Sequence, residues 1–200
     1  MMIPEVIMPS WFRKMNSMPE DPPYSKAYGY ETPEAGCFVM TQPVSTEYAM
    51  PYDHPQMVID GIHRDLGENQ GLIEVEGGMT GSGRRYLYSI VKTLNQPSGV
   101  QYCTTMHIEF PDCAVQVQGF FDELGTTGVR DSLVYVLLSQ DGVVKATDDG
   151  LEGWSADPYD AAYKHGVCMN CSEEKKFDAQ FPQHPLSEAR RFVAELVGLN

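Results

Sequence analysis

Cys168-Met-Asn-Cys171 places two thiols a C-x-x-C spacing apart, with His165 three residues before the pair and His184 thirteen after it. Tetrahedral zinc takes four nitrogen, sulfur or oxygen ligands, and this pair supplies two. His165 or His184 would have to complete the set, at a spacing unlike the common zinc modules. A redox dithiol of the thioredoxin kind belongs at the end of a strand that opens into a helix of a βαβ unit, and the residues around the pair do not read that way. Three readings stand: two loop thiols with no special role, a zinc site of Cys168, Cys171 and His165, or a redox pair. The cofactor expectation is none, with zinc as the alternative.

A second group sits within Val100–Phe121, where residues alternate strictly between apolar and polar on either side of Pro111-Asp112. Cys103, Thr105, His107 and Glu109 share one face of such a strand. Cys103 and His107 are separated by roughly 13 Å of strand, too far for a thiol–imidazole dyad. His107 and Glu109 are about 7 Å apart, close enough to touch one ligand; the alternative is the hydrated side of a sheet.

Glu123-Leu-Gly-Thr-Thr-Gly-Val-Arg-Asp-Ser132 forms the third group. Thr126, Thr127, Arg130 and the amides opening a helix can hold an anion. In the structural alternative the glycines turn the chain, a threonine caps the helix, and Arg130 pairs with Glu123 or Asp131. Gly77-Gly-Met-Thr-Gly-Ser-Gly-Arg84 has the composition of a phosphate loop without its Gly-Lys-Ser/Thr ending, and it reads as a hairpin loop.

These groups need elements to position them. Pairing across Pro111-Asp112 puts Ile108 opposite Val115, Met106 opposite Val117, His107 opposite Gln116 and Thr105 opposite Gln118; a slip of one residue would turn the apolar set to the wrong face. With Leu72–Glu76 and Arg85–Leu94 the hairpin makes a four-stranded antiparallel meander, and Gly36–Thr41 adds an early strand. Asp53 and Gln56 suit a capping box ahead of a helix carrying Val58, Ile59, Ile62 and Leu66, with Gly67 at its C-terminal cap. Val129, Leu133, Val136 and Leu137 form the apolar stripe of a second helix, stopped at Gln140-Asp-Gly142. Residues 133–138 also fit a buried strand, and helix is preferred. Leu186, Ala189, Val193, Leu196 and Val197 make a third stripe. The fold class is α+β: an antiparallel β-meander sheet packed by helices.

Two hundred residues suffice for one domain. Residues 1–34, rich in Pro, Met and Tyr, read as an irregular arm; residues 35–200 form a single domain in which 141–185 is a long, acidic, cysteine-bearing insertion. The first residues lack the basic segment of a signal peptide, no run is long enough to span a bilayer, and five cysteines suit a reducing compartment, so a cytoplasmic location is expected. With 28 acidic against 14 basic side chains the formal charge is −14, which disfavours nucleic acid and anionic lipid as partners and favours another protein. Asp148, Asp149, Glu152, Asp157 and Asp160 read as a solvated acidic rim without calcium-loop spacing.

The order of elements, with Tyr86-Leu-Tyr-Ser-Ile-Val, Val100-Gln-Tyr-Cys and Gly119-Phe-Phe-Asp-Glu-Leu-Gly-Thr-Thr-Gly-Val-Arg-Asp-Ser132, resembles the PsbP-like α/β sandwich over roughly Gly36 to Gln140 plus the C-terminal helix. The resemblance implies a non-enzymatic scaffold, since members serve photosystem assembly, bind a small GTPase or act as secretion-associated chaperones, and it brings no family-wide catalytic residues. With no activated nucleophile, metal set or cofactor loop in the sequence, the expected function is a cytoplasmic bacterial-type binding or accessory protein, chaperone-like, that meets another protein through a sheet face or the acidic rim. Its rivals are a metal- or thiol-dependent protein built on Cys168 and Cys171, a pocket gathering His107, Glu109, Gln116 and Gln118, and a small-molecule sensor with Tyr86, Tyr88 and Tyr102 lining a cavity.

Overall fold

In the computed structural model, which describes residues 4–200, Ile108 lies opposite Val115, Met106 opposite Val117, His107 opposite Gln116 and Thr105 opposite Gln118. That is the register read from the alternation. Residues 1–3, on which part of the signal-peptide reading falls, lie outside the described residues. The two strands of this hairpin, β6 (Val100–Glu109) and β7 (Ala114–Glu123), continue a meander from β4 (Gln70–Met79) and β5 (Arg85–Leu94). β3 (Ala35–Val44) pairs with β7 along its whole length, and β2 (Lys26–Glu31) and β1 (Arg13–Lys14) follow outward. The result is a seven-stranded antiparallel sheet in the order β1-β2-β3-β7-β6-β5-β4. The architecture is α+β.

The arm is not irregular throughout. Lys26-Ala-Tyr-Gly-Tyr-Glu31 finds a partner in β3, while Val6, Phe12 and Tyr28 are buried in the main core. Proline-rich flanks hide this strand from a local reading, because its pairing partner supplies the order.

One face of the sheet carries Tyr88, Ile90, Tyr102, Met106, Val117 and Phe121, packed against Leu186, Ala189, Phe192, Val193 and Leu196 of α3 (Pro185–Leu199). The helix stripe and the strand alternation agree, and α3 is buried as its sequence predicts. On the other face α1 (Pro55–Asp65) lays Ile59, with Leu66 just beyond, on Leu72, Val75 and Leu87 of β4 and β5. Its cap differs from the reading: His54 stands at the N-cap without a side-chain hydrogen bond, and Leu66 rather than Gly67 closes the C-terminus. Asp53 instead pairs with Arg85, and Gln56 bonds to Asp60 one turn on. A bulge between Leu72 and Glu74 breaks the alternation of β4 and turns Glu74 toward α3.

Residues 141–185 cover more than they dangle. After a short exposed hairpin, β8 (Lys145–Thr147) with β9 (Gly150–Glu152), the chain runs along the outer edge of β4. There the Val167 amide donates to Gln70 O at 2.8 Å, and the Tyr159 hydroxyl accepts from the Val75 amide at 2.5 Å and donates to Val75 O at 3.2 Å. A sheet edge left bare would invite pairing with another chain. Gly71 permits this approach, because a Cβ there would collide with Val167 O. Asp157, expected on a solvated rim, is buried: it faces His63 at 2.9 Å and accepts from the Tyr159 and Asp160 amides.

α2 (Val129–Gln140) is a helix, so residues 133–138 are not a strand. Its orientation reverses the expectation. Arg130, Val134 and Leu138 are buried, while Val129, Leu133, Val136 and Leu137 are 42%, 57%, 51% and 43% exposed. No helix among the described residues is long and apolar enough to cross a membrane.

Candidate functional site

The turn into α2 places Gly125 and Gly128 at positive φ, 68° and 73°, a conformation that glycine adopts without strain. Gly128 itself is the N-cap, so no threonine caps the helix. The Gly128 amide donates to Glu123 Oε1 at 2.7 Å, so the chain's own carboxylate takes this donor of the proposed anion site. Burial raises the Glu123 carboxyl above the usual carboxylate range. Thr126 is exposed on a cavity of about 220 Å³ shared with Glu34, Glu123, Arg130, Phe181 and His184; Thr127 does not line it.

Arg130 pairs with neither Glu123 nor Asp131. Its guanidinium, 1% exposed, donates from Nε to Ser172 O at 2.7 Å, from Nη1 to Ser187 Oγ at 2.9 Å and from Nη2 to Asp178 Oδ1 at 2.9 Å and Glu174 O at 3.3 Å. Asp131 accepts from Ser172 Oγ. A buried charge is tolerated when its hydrogen bonds are met, and here residues from the insertion and from α3 meet them. His184, also buried, accepts the Leu186 amide on Nδ1 and stays neutral, pushed down to about 3 by burial and by the nearby Arg130 and Arg190 cations.

The ionic cluster extends inward. Asp178 accepts from Arg190 at 3.1 and 3.2 Å, and Arg190 Nε reaches Glu74 Oε2 at 2.9 Å. Glu74 also accepts from the Tyr88 hydroxyl. Beside it Lys92 Nζ meets Glu173 Oε2 at 2.7 Å, and the Tyr102 hydroxyl donates to Glu173 Oε1 at 2.9 Å. Burial and these carboxylates raise the phenols of Tyr88 and Tyr102. Both tyrosines are core residues bonded to carboxylates, and Tyr86 is half-buried at the core's margin. Chemically the cluster is a clamp: it fastens 171–178 to the sheet, to α3 and to α2.

His107 and Glu109 do not meet over an open ligand site. His107 is 5% exposed, and its Nδ1 accepts the Met50 amide at 3.0 Å, which leaves the proton on Nε2. Burial pushes it down to about 4. Glu109 is held by Arg85 at 2.6 and 2.7 Å, and that guanidinium keeps its carboxyl below the usual range. The polar face is thus closed by α1 and the Met50 segment over β4, β5 and His107. Across β6, β7 and β3 it is half-open: Gln118 lies against Cys103 Sγ, Gln42 Nε2 bonds to Gln116 Oε1 at 2.5 Å, and Phe38 pairs with Phe120. Gln116 and Gln118 lie on this half-open strip, while His107 is covered by the Met50 segment and Glu109 is engaged by Arg85.

The cysteine group is dispersed as well. The Cys168 thiol donates to Tyr163 O at 3.7 Å, the Cys171 thiol to Gly153 O at 3.1 Å, and His165 Nε2 lies 2.9 Å from Leu66 O. Among the described residues no group of three or more His, Cys, Asp or Glu side chains is placed to hold a metal ion. Burial raises the Cys171 thiol, which works against a thiolate.

No protein-family model matches the chain, and no curated protein matches it. Among solved structures it is similar to the solution structure of cyanobacterial PsbP (CyanoP) from Synechocystis sp. PCC 6803, at 13% identity over 68% of this chain and 81% of that one, with a TM-score of 0.35. Likeness at that level carries no argument about function.

The feature that local reading missed is the outward face of α2. Its two charged residues, Arg130 and Asp131, bond inward, and its exposed polar residues are Ser132 and Gln140. Four apolar side chains at i, i+4, i+7 and i+8 therefore face out with no charge among them. The signal was present in the sequence: Arg130, Val134 and Leu138 recur at a spacing of four and make a second stripe on the opposite side of the helix.

Proposed function

We propose that this protein is a non-enzymatic accessory protein that binds another protein through the outward face of α2. The observation that carries the reading is the uncharged stripe of Val129, Leu133, Val136 and Leu137, about half exposed on a helix whose inner face is fixed by Arg130. A continuous exposed apolar patch marks an interaction site far better than single surface hydrophobes do. The PsbP-like sequence resemblance points the same way, toward an accessory role; photosystem assembly, GTPase binding and secretion chaperoning are that family's examples of it. The cysteines, all free, support a reducing compartment such as the cytoplasm.

Site-specific photocrosslinking in living cells tests this. A photoreactive residue at Leu133 or Leu137 is expected to give one discrete adduct, and the same residue at Met57, an exposed apolar position on α1, is expected to give none. Adding Val136→Asp should abolish the adduct. Equal labelling at all three positions, or no labelling at Leu133, overturns the reading.

A further inference from the structure

We infer that the segment seated on α2 is a cationic amphipathic helix of the partner protein. This rests on the docking reading above and adds the chemistry of what docks. Val129, Leu133, Val136 and Leu137 run in a straight line over about 12 Å of helix, the length over which two turns of a partner helix offer apolar residues at matching intervals. The stripe itself holds no charge, so a charged group pressed on its centre would be desolvated without a partner. The contacting face must be apolar.

Both ends of the stripe are acidic. Beside Val129 the exposed Glu34 lines the cavity at the start of α2; Glu123 in the same cavity is bonded to the Gly128 amide, and the guanidinium of Arg130 is already paired with Asp178. Beyond Leu137 come Asp141 at the C-cap and the exposed Asp148, Asp149 and Glu152 of the following hairpin. The C-terminal end of α2 has no basic residue in its last turn, so its helix dipole adds to the negative potential. Lys145, the cation in that hairpin, lies opposite Glu152. Lysines or arginines at both ends of an apolar stripe complete this surface. A second copy of the chain would not: laid antiparallel, it would bring its Glu34 against Asp141 and the acidic hairpin, with a formal charge of −14 on each copy.

The test uses the full chain and two synthetic helical peptides with the same leucine stripe, one flanked by lysines and the other by glutamates, followed by fluorescence anisotropy. The lysine peptide is expected to bind and the glutamate peptide to fail. Leu133→Gln should weaken binding by about tenfold, the effect of losing one central apolar contact. Asp141→Asn combined with Asp148→Asn and Asp149→Asn should weaken it by a few-fold and flatten its salt dependence. Since these positions are exposed, unchanged thermal unfolding of each variant shows that the fold is intact. The inference fails if the lysine peptide does not bind, if Leu133→Gln leaves its binding unchanged (mere attraction to net charge), or if light scattering shows a dimer that Leu133→Gln dissolves. Crosslinking at Leu133 without binding of the lysine peptide would sink this inference and leave the docking reading standing.

Discussion

Asp178 sits between two guanidinium groups, accepting from Arg130 at 2.9 Å and from Arg190 at 3.1 Å. Arg130 comes from α2, Arg190 from α3, and Asp178 from the insertion that follows the small hairpin, so one carboxylate fastens three segments. Because every partner of Arg130 lies on the inside, turning the Leu133 stripe inward would swing the guanidinium out into water and leave Asp178 and the Ser172 carbonyl without that donor. The orientation of the candidate docking face is a consequence of this one junction.

Removing the junction should therefore be costly. Asp178→Ala leaves two cations facing one another with their shared acceptor gone, and loss of one member of a largely buried ion pair costs about 3–5 kcal/mol. Urea unfolding of the variant against the parent protein measures it. A loss within the usual scatter of surface substitutions would mean that the junction does not hold α2.

The two faces of α2 should respond oppositely to truncation. Leu138→Ala opens a cavity against Val134, Val144 and Phe177 and is expected to cost about 2–5 kcal/mol. Leu133→Ala removes exposed surface and should stay within about 0.5 kcal/mol of the parent. Thermal unfolding of the pair decides the matter, and the reverse ranking would restore the stripe that local periodicity suggested.

Acid should weaken the fold through two histidines. His107 and His184 are pushed down to about 4 and about 3 by burial, while in the unfolded chain each takes a proton near its ordinary value of 6.5. Between those limits the unfolded state binds more protons, so stability falls as pH drops from about 6.5 toward about 4, by on the order of a few kcal/mol in all. Glu123 and Glu188, raised by burial, act in the opposite direction over the lower part of that window. Urea midpoints measured from neutral pH to about pH 4 should show the loss. His107→Gln, which cannot titrate, should flatten the slope while lowering the neutral-pH value.

Tyr159 guards a sheet edge with one hydroxyl. Tyr159→Phe deletes both of its bonds to Val75 and should cost about 1 kcal/mol, with faster hydrogen exchange at the Val75 amide. Unchanged exchange there would show that the rest of the strap shields the edge without the hydroxyl.

The central meander of the sheet was legible in the amino-acid sequence, whereas β1 and β2 were not. In β6 and β7 the period of two is self-consistent over ten residues in each strand, and only one register keeps Met106, Ile108, Val115 and Val117 on a common face. The α3 stripe was equally plain, because Leu186, Ala189, Val193 and Leu196 recur at helical spacing and all four are buried. Tertiary structure alone decided the rest. α2 carries two apolar stripes, and the choice between them belongs to Arg130, whose partners Ser172, Asp178 and Ser187 lie 42, 48 and 57 residues away. Likewise His107 and Glu109 share a strand face, yet Met50 closes over one and Arg85 claims the other. Periodicity reports which residues are neighbours on one element; which of them meet water depends on partners brought in from elsewhere in the chain.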